Sequence, residues 1–205
     1  MKKALLIVDV QNDFCPGGAL AVPDGDQVIE PLNRVIVLRA IISDWLVIPS
    51  RDWHPADHCS FKEQGGLWPP HCVQGTVGAS FHPNLLLLLS SIERGIRKGF
   101  RQDEDSYSAF DGSMALDWDK FTSLEKFLRQ KEVTEVYIGG LATDYCVKAT
   151  ALDAVKKGFK TFLLLDACRA VNVNPGDGDS AVDEMSEAGV IITNTVMVIN
   201  GEDVR

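Results

Sequence analysis

The chain has 205 residues, 45% hydrophobic and 24% charged, a balance that fits one well-buried core and excludes an intrinsically disordered chain. Its net charge of −9 opposes nucleic-acid binding, which needs clustered Lys and Arg to displace counterions. Five cysteines without a CxxC pair fit neither a disulfide scaffold nor a cysteine-rich zinc ribbon, and point to a reducing, cytoplasmic setting.

In chain order, the opening "MKKALLIVDVQNDF" carries an apolar run, residues 4–8, that ends at Asp9 without a small-residue cleavage site. It is read as a first strand and not as a signal peptide. A helix is expected over 27–43, a strand over 45–48 and a weaker strand over 94–97. Between the last two lies "LLLLL" at 85–89, too short for the roughly 20 apolar residues of a membrane span and therefore core or a short buried helix. No membrane partner is expected. There follow a helix over 120–130, a strand over 133–138, and a helix over 144–157 with Thr143 as its cap. A strand over 161–165, a helix over 180–188 with capping groups from "GDGDS", and a strand over 190–192 complete the pattern. Apolar strands alternating with helices imply an α/β fold, a three-layer α/β/α arrangement around a mainly parallel, roughly six-stranded sheet of Rossmann type. With no linker or internal repeat, residues 1–205 are read as a single domain. Apolar residues around the last strand offer an interface for a homo-oligomer.

The polar residues that follow these strands carry the functional signal. Asp9 follows the first, Asp52 and His54 the second, Lys98 the weak third, and residues 141–146 the fourth. In an open parallel sheet all of these lie at the carboxyl edge, where ligands bind. Free cysteine is usually a buried filler. Cys146, however, falls in the first turn of an expected helix, where the helix dipole and a nearby cation such as Lys98 would depress its pKa. Asp9 has two readings: a structural ion pair with Lys98, or a general base, which must also reach Cys146. "RDWHPADH" supplies Asp52, His54 and His58, and "WPPHC" supplies His71. These donors suit zinc, iron or manganese, but hydrogen-bonded loop residues account for them about equally well. His82 is read as structural. Phe14, Trp68, Tyr107 and Tyr145 lie in or near the same loops and could wall a flat ring substrate. Neither "GGAL" nor "GDGD" matches a dinucleotide or phosphate-binding fingerprint.

With Asp9, Lys98 and Cys146 identified, the sequence resembles the isochorismatase-like cysteine hydrolases, and within them the nicotinamide-hydrolysing branch. The blocks that carry the likeness are "IVDVQNDFCPGGALAV", "DWHPADHCSF", "WPPHCVQGTVGASFHP", "KGF" with "YSAF", and "GGLATDYCVKATALDA". They stand in the family order and cover most of the chain. The resemblance implies a triad of Asp9, Lys98 and Cys146, and one divalent metal, zinc before iron or manganese, on Asp52, His54 and His71. His58 ligates in some relatives. A cis peptide is implied between Leu141 and Ala142, with the amides of Ala142 and Cys146 forming an oxyanion hole. Nicotinamide would lie with its ring between Phe14, Trp68 and Tyr107 and its amide over Cys146, to be hydrolysed through a thioester for NAD salvage. Relatives often carry His where Tyr145 stands, which alters the pocket wall and not the chemistry. The rivals are an amidase for N-carbamoylsarcosine or a ureido compound, a true isochorismatase needing no cysteine, and a noncatalytic metal or redox protein.

Overall fold

A computed structural model describes residues 2–42, 45–88, 91, 95–117 and 120–202. Strand β1 (Lys2–Val8) is buried from Ala4 onward. It lies between β2 (Leu46–Asp52) and β6 (Val133–Leu141), pairing in parallel with both. Its side chains alternate: Ala4, Leu6 and Val8 enter one core, Leu5 and Ile7 the other. A strand covered on both faces must be apolar throughout, hence "ALLIV". The first core is closed by α2 (Leu124–Gln130), α3 (Lys148–Lys156) and α4 (Asp177–Glu187), through Leu128, Ala151 and Met185 among others. The second is closed by α1 (Ile29–Val35) and α5 (Thr195–Asn200), through Leu32 and Val198. This is the expected three-layer α/β/α arrangement. Among the described residues no helix is long and apolar enough to cross a membrane.

The sheet has eight strands in the order β5-β4-β3-β2-β1-β6-β7-β8. The parallel ones are the six expected: β1, β2, β3 (Ile96–Lys98), β6, β7 (Lys160–Arg169) and β8 (Ile191–Thr193). The additional pair, β4 (Ser113–Asp117) and β5 (Lys120–Ser123), is antiparallel and forms one edge. It corrects the helix expected over 120–130, whose first four residues are strand. Thr122 pairs with Met114 across the hairpin, and the Ser123 hydroxyl accepts the Lys126 N–H at 3.3 Å to start α2 one residue later.

Other boundaries shift for local reasons. The expected helix over 27–43 is a 3-10 turn (Gly25–Val28), then α1, then a wider π-helical stretch (Ile36–Ile41), while Ser43 lies outside the described residues. The strand expected over 45–48 runs on through Pro49, which pairs with Ile7 of β1, to Asp52. β3 ends on Lys98 itself instead of before it, and Arg94 is outside the described residues. Thr143 is not the cap of the helix that follows β6. Ala142 holds that position in extended conformation without a side-chain cap bond. The segment "GDGDS" supplies the cap residue of α4 but no side-chain cap bond. Gly176 occupies the cap, Asp177 and Asp179 lie inside the first turn, and Asp177 Oδ2 accepts the Asn174 N–H at 2.8 Å. The leucine run is neither uniform core nor a helix. Leu85 is buried, whereas Leu86 and Leu88 are 53% and 63% exposed on a segment outside helix and strand, and Leu89 lies outside the described residues. All five cysteines are free.

β1 and β6 diverge at the point where the chain order reverses, since β2 and β3 lie to one side of β1 and β6, β7 and β8 to the other. Gly140 makes that junction tight. It has φ +129°, and a Cβ there would sit 2.1 Å from the Val8 carbonyl oxygen. Gly158 also has positive φ, +81°, but nothing lies within 4 Å of its would-be Cβ. Gly140→Ala should therefore destabilise the protein by about 3 kcal/mol or more, and Gly158→Ala by only about 1 kcal/mol, as read from urea unfolding.

Candidate active site

The carboxyl ends of β1, β2 and β3 and the turn after β6 converge on Lys98. Its ammonium is fully buried, an arrangement that costs several kcal/mol unless counter-charges surround it. Four groups do so. Nζ contacts Asp52 Oδ1, stands 3.0 Å from Asp9 Oδ2, and donates to the Ser106 carbonyl and the Cys146 sulfur, each at 3.3 Å. A carboxylate oxygen of Asp9, one of Asp52 and the Cys146 sulfur lie within 4.8 Å of one another. Residues 9, 98 and 146, distant in sequence, thus meet at one point, as expected.

The backbone sets each position. Asp9 adopts φ +49° as the chain leaves β1. Its Oδ1 accepts the Ser50 hydroxyl at 2.7 Å, while Oδ2 faces the Lys98 ammonium. The peptide between Leu141 and Ala142 is cis, as the family resemblance implied. Cys146 lies in a π-helical turn (Thr143–Val147) in which Tyr145 and Val147 both donate their N–H groups to the Ala142 carbonyl at 3.1 Å.

Burial and charge sort the protonation states. Burial pushes the Cys146 thiol well above its ordinary pKa; Lys98 opposes this, and the Asp9 and Asp52 carboxylates reinforce it. This corrects the expectation of a depressed thiol, because desolvation of the thiolate outweighs the single cation. Burial also raises Asp9, against the pull of Lys98 and with help from Asp52. For Asp52 burial is outweighed by Lys98 and His54, which hold its carboxyl far below the usual range. Lys98 is raised well above its ordinary value, as its anionic neighbours overcome desolvation.

Asp52 faces two ways. Its Oδ1 meets Lys98, and its Oδ2 lies 3.6 Å from His54 Nε2 and 4.0 Å from His71 Nε2. Each of these imidazoles has Nδ1 at 2.8 Å from a carbonyl, Gly99 for His54 and Pro69 for His71. Since a carbonyl only accepts, each ring carries a proton on Nδ1 and turns Nε2 toward Asp52. Three donor atoms within 4.8 Å of one another, from two imidazoles and one carboxylate, fit a divalent metal. His58 stacks on His54 with ring centroids 4.1 Å apart, but both its nitrogens are engaged, Nδ1 with the Ser60 hydroxyl at 2.8 Å and Nε2 with the Glu104 carbonyl at 3.0 Å. His82 accepts the Asn84 N–H at 3.3 Å and lies apart from the site.

Phe14, Trp68, Tyr107 and Tyr145 all line one pocket, together with Asp52, His71, Ala142 and Cys146. Trp68 Nε1 donates to the Tyr107 hydroxyl at 3.3 Å, and the Tyr145 ring lies 5.1 Å from Trp68 and 5.7 Å from Tyr107. The pocket is a small one, with a cavity volume of about 40 Å³. A groove of about 720 Å³ on α1, lined by Ile29, Val37 and Leu86, includes none of the residues around Lys98.

Several contributors escaped sequence reasoning. Ser50 alternates with Asp52 on β2, so the strand period would have exposed it had the strand not been ended at Pro49. Gln11 is fully buried and clamps the Asp52 main chain, accepting its N–H at 2.8 Å and donating to its carbonyl at 2.9 Å. Leu20, Val22 and Val171 complete the pocket and carried no signal.

A family model described as the isochorismatase domain matches residues 3–196. The nicotinamidase of Escherichia coli (strain K12) is 44% identical over 211 aligned positions, covering 93% of each chain. The pyrazinamidase of Pyrococcus horikoshii, solved in complex with zinc, has a TM-score of 0.81 at 42% identity and covers 95% of this chain and 99% of its own. A protein of L. infantum solved with nicotinate has a TM-score of 0.80 at 37% identity, covering 95% and 93%.

Gly99 gives the metal-ligand geometry a direct test. With φ +56°, it leaves room for the His54 ring, and a Cβ would sit 2.4 Å from His54 Cε1. Gly99→Ala should push the ring aside and weaken zinc binding roughly 10-fold to 100-fold, measured by calorimetry on the apoprotein.

Proposed function

The chain belongs to the isochorismatase family, and from that premise we infer that it hydrolyses nicotinamide to nicotinate and ammonia through a thioester on Cys146. The observation that carries this reading is the meeting of Asp9, Lys98 and Cys146 beneath an aromatic pocket. A flat ring suits those walls better than a ureido chain does.

Asp9, whose pKa burial raises and whose carboxylate lies in one cluster with the sulfur, takes the thiol proton as the sulfur attacks the carboxamide carbon. The resting thiol is neutral, so deprotonation accompanies attack. Lys98 stabilises the thiolate as it forms and keeps the Asp9 proton inventory in register. The amides of Ala142 and Cys146 receive the developing oxyanion. Asp9 then returns its proton to departing ammonia, leaving the thioester. Water attacks the thioester with Asp9 again as base, releasing nicotinate and restoring the thiol. Phe14, Trp68, Tyr107 and Tyr145 sandwich the ring and exclude water.

Asp52, His54 and His71 would hold the divalent ion, zinc as in the P. horikoshii relative. When bound, it supplies a Lewis-acid anchor for the pyridine nitrogen, directly or through water. Reading the pathway from the reaction, the enzyme serves NAD salvage. Five free cysteines support a reducing, cytoplasmic location. Leu165 and Val196, 42% and 50% exposed near β8, support a homo-oligomer through that edge.

Cys146→Ala should lower ammonia release from nicotinamide at least 10³-fold while leaving the unfolding transition cooperative; a smaller loss would sink the covalent route. Chelation should remove turnover on nicotinamide and zinc should restore it, followed with a coupled ammonia assay and metal analysis on the same sample.

A further inference from the structure

Asp144 lies two residues before the sulfur, is 8% exposed, and points away from the Lys98 cluster. Both of its oxygens accept main-chain N–H groups of a distant loop, Val171 at 2.9 Å and Asn172 at 2.8 Å. Val171 lines the same pocket as Cys146. Asn172 is held at φ +53°, and its own side-chain oxygen accepts the Gly178 N–H at 2.8 Å in the first turn of α4. One carboxylate therefore ties the nucleophile turn to the loop that forms the facing wall, and through it to α4.

We propose that Asp144 is a positioning residue for substrate binding, which sets the Val171 wall of the amide pocket without setting the nucleophile. This rests on the nicotinamidase reading. The turn bearing Cys146 has its own restraints, the two N–H groups donated to the Ala142 carbonyl and the Lys98 contact to the sulfur. The loop at 171–172 is tied down by the Asp144 carboxylate, a pair of charge-assisted bonds stronger than neutral ones. Removing the charge should free the wall and leave the sulfur in place. Asn at 144 retains one acceptor but turns an NH₂ group toward a main-chain N–H.

The test uses wild type, Asp144→Asn, Val171→Ala and the double variant, with nicotinamide kinetics and amide hydrogen exchange on each. Asp144→Asn should raise KM fivefold or more with kcat within twofold, and amide protection at Val171 and Asn172 should fall while that at Val147 persists. Val171→Ala should raise KM comparably, and the double variant should be no worse than the larger single one, because both act on one wall. A KM within twofold of wild type, a fall in kcat with KM unchanged, or fully additive effects would overturn the proposal. If wild type released no ammonia from nicotinamide, the functional reading would fail on its own. The exchange data would still decide the role of Asp144, since unchanged protection at Val171 and Asn172 in Asp144→Asn would overturn it.

Discussion

The structure depends on how a fully buried ammonium is kept charged. Lys98 is fully buried, and an isolated cation in such a place would lose its proton or unfold the site. Two carboxylates, a carbonyl and a sulfur close around it instead. No single segment could supply them, because neighbouring residues on a strand alternate faces and those on a helix diverge. A parallel sheet can. β1, β2 and β3 all run in one direction and deliver Asp9, Asp52 and Lys98 at their carboxyl ends, while the turn after β6 delivers Cys146 from across the reversal in strand order. The topology is thus an electrostatic requirement as much as a packing solution.

The same cluster explains why a cation belongs next to it. Two carboxylates meet one ammonium there, and burial holds His71 toward its neutral form. Asp52 turns its second oxygen to His54 and His71, whose Nε2 atoms face it. A divalent ion at these donors would offset the carboxylate charge. Asp52 is then the hinge between the part of the site that would anchor the substrate ring and the part that would do covalent work. Gln11, whose side chain both donates to and accepts from the main chain of Asp52, fixes the hinge and also donates its own N–H to the Asp9 carbonyl at 2.8 Å.

Much of this was legible in the sequence because chemistry and topology coincide. Asp9, Asp52, Lys98 and Cys146 stand where apolar runs end, and the six parallel strands are the six runs that the pattern singles out. The aromatic residues proved to share one pocket for the same reason: they lie in loops at that edge. What was illegible depends on long-range contact or on cancelling local signals. The β4–β5 hairpin was hidden because "KFTS" leads directly into a helical pattern, and only pairing with β4 separates the two. Proline concealed the length of β2 and with it Ser50. Gly99 and Val171 matter through the space around them, which no local pattern encodes. The direction of the Cys146 shift was misjudged because proximity to a lysine is visible in a motif, whereas complete desolvation of the sulfur is visible only in the folded chain.

That last point separates the roles of two carboxylates that share one lysine. Asp52 is held down by Lys98 and His54 and uses both oxygens, so it is a poor proton acceptor and a good permanent anion. Asp9 is pushed up by its own burial and by the neighbouring Asp52 charge, against the pull of Lys98. Environments that drive two like groups apart assign them different work. Asp9 can take a proton from a thiol whose own pKa is raised, because the proton moves within one cluster whose total charge is unchanged by the transfer. Carrying it to water would require the cluster to bury a further negative charge. On the proposed mechanism, the raised thiol pKa is compatible with an attack in which Asp9 would accept the proton as the carbon–sulfur bond forms.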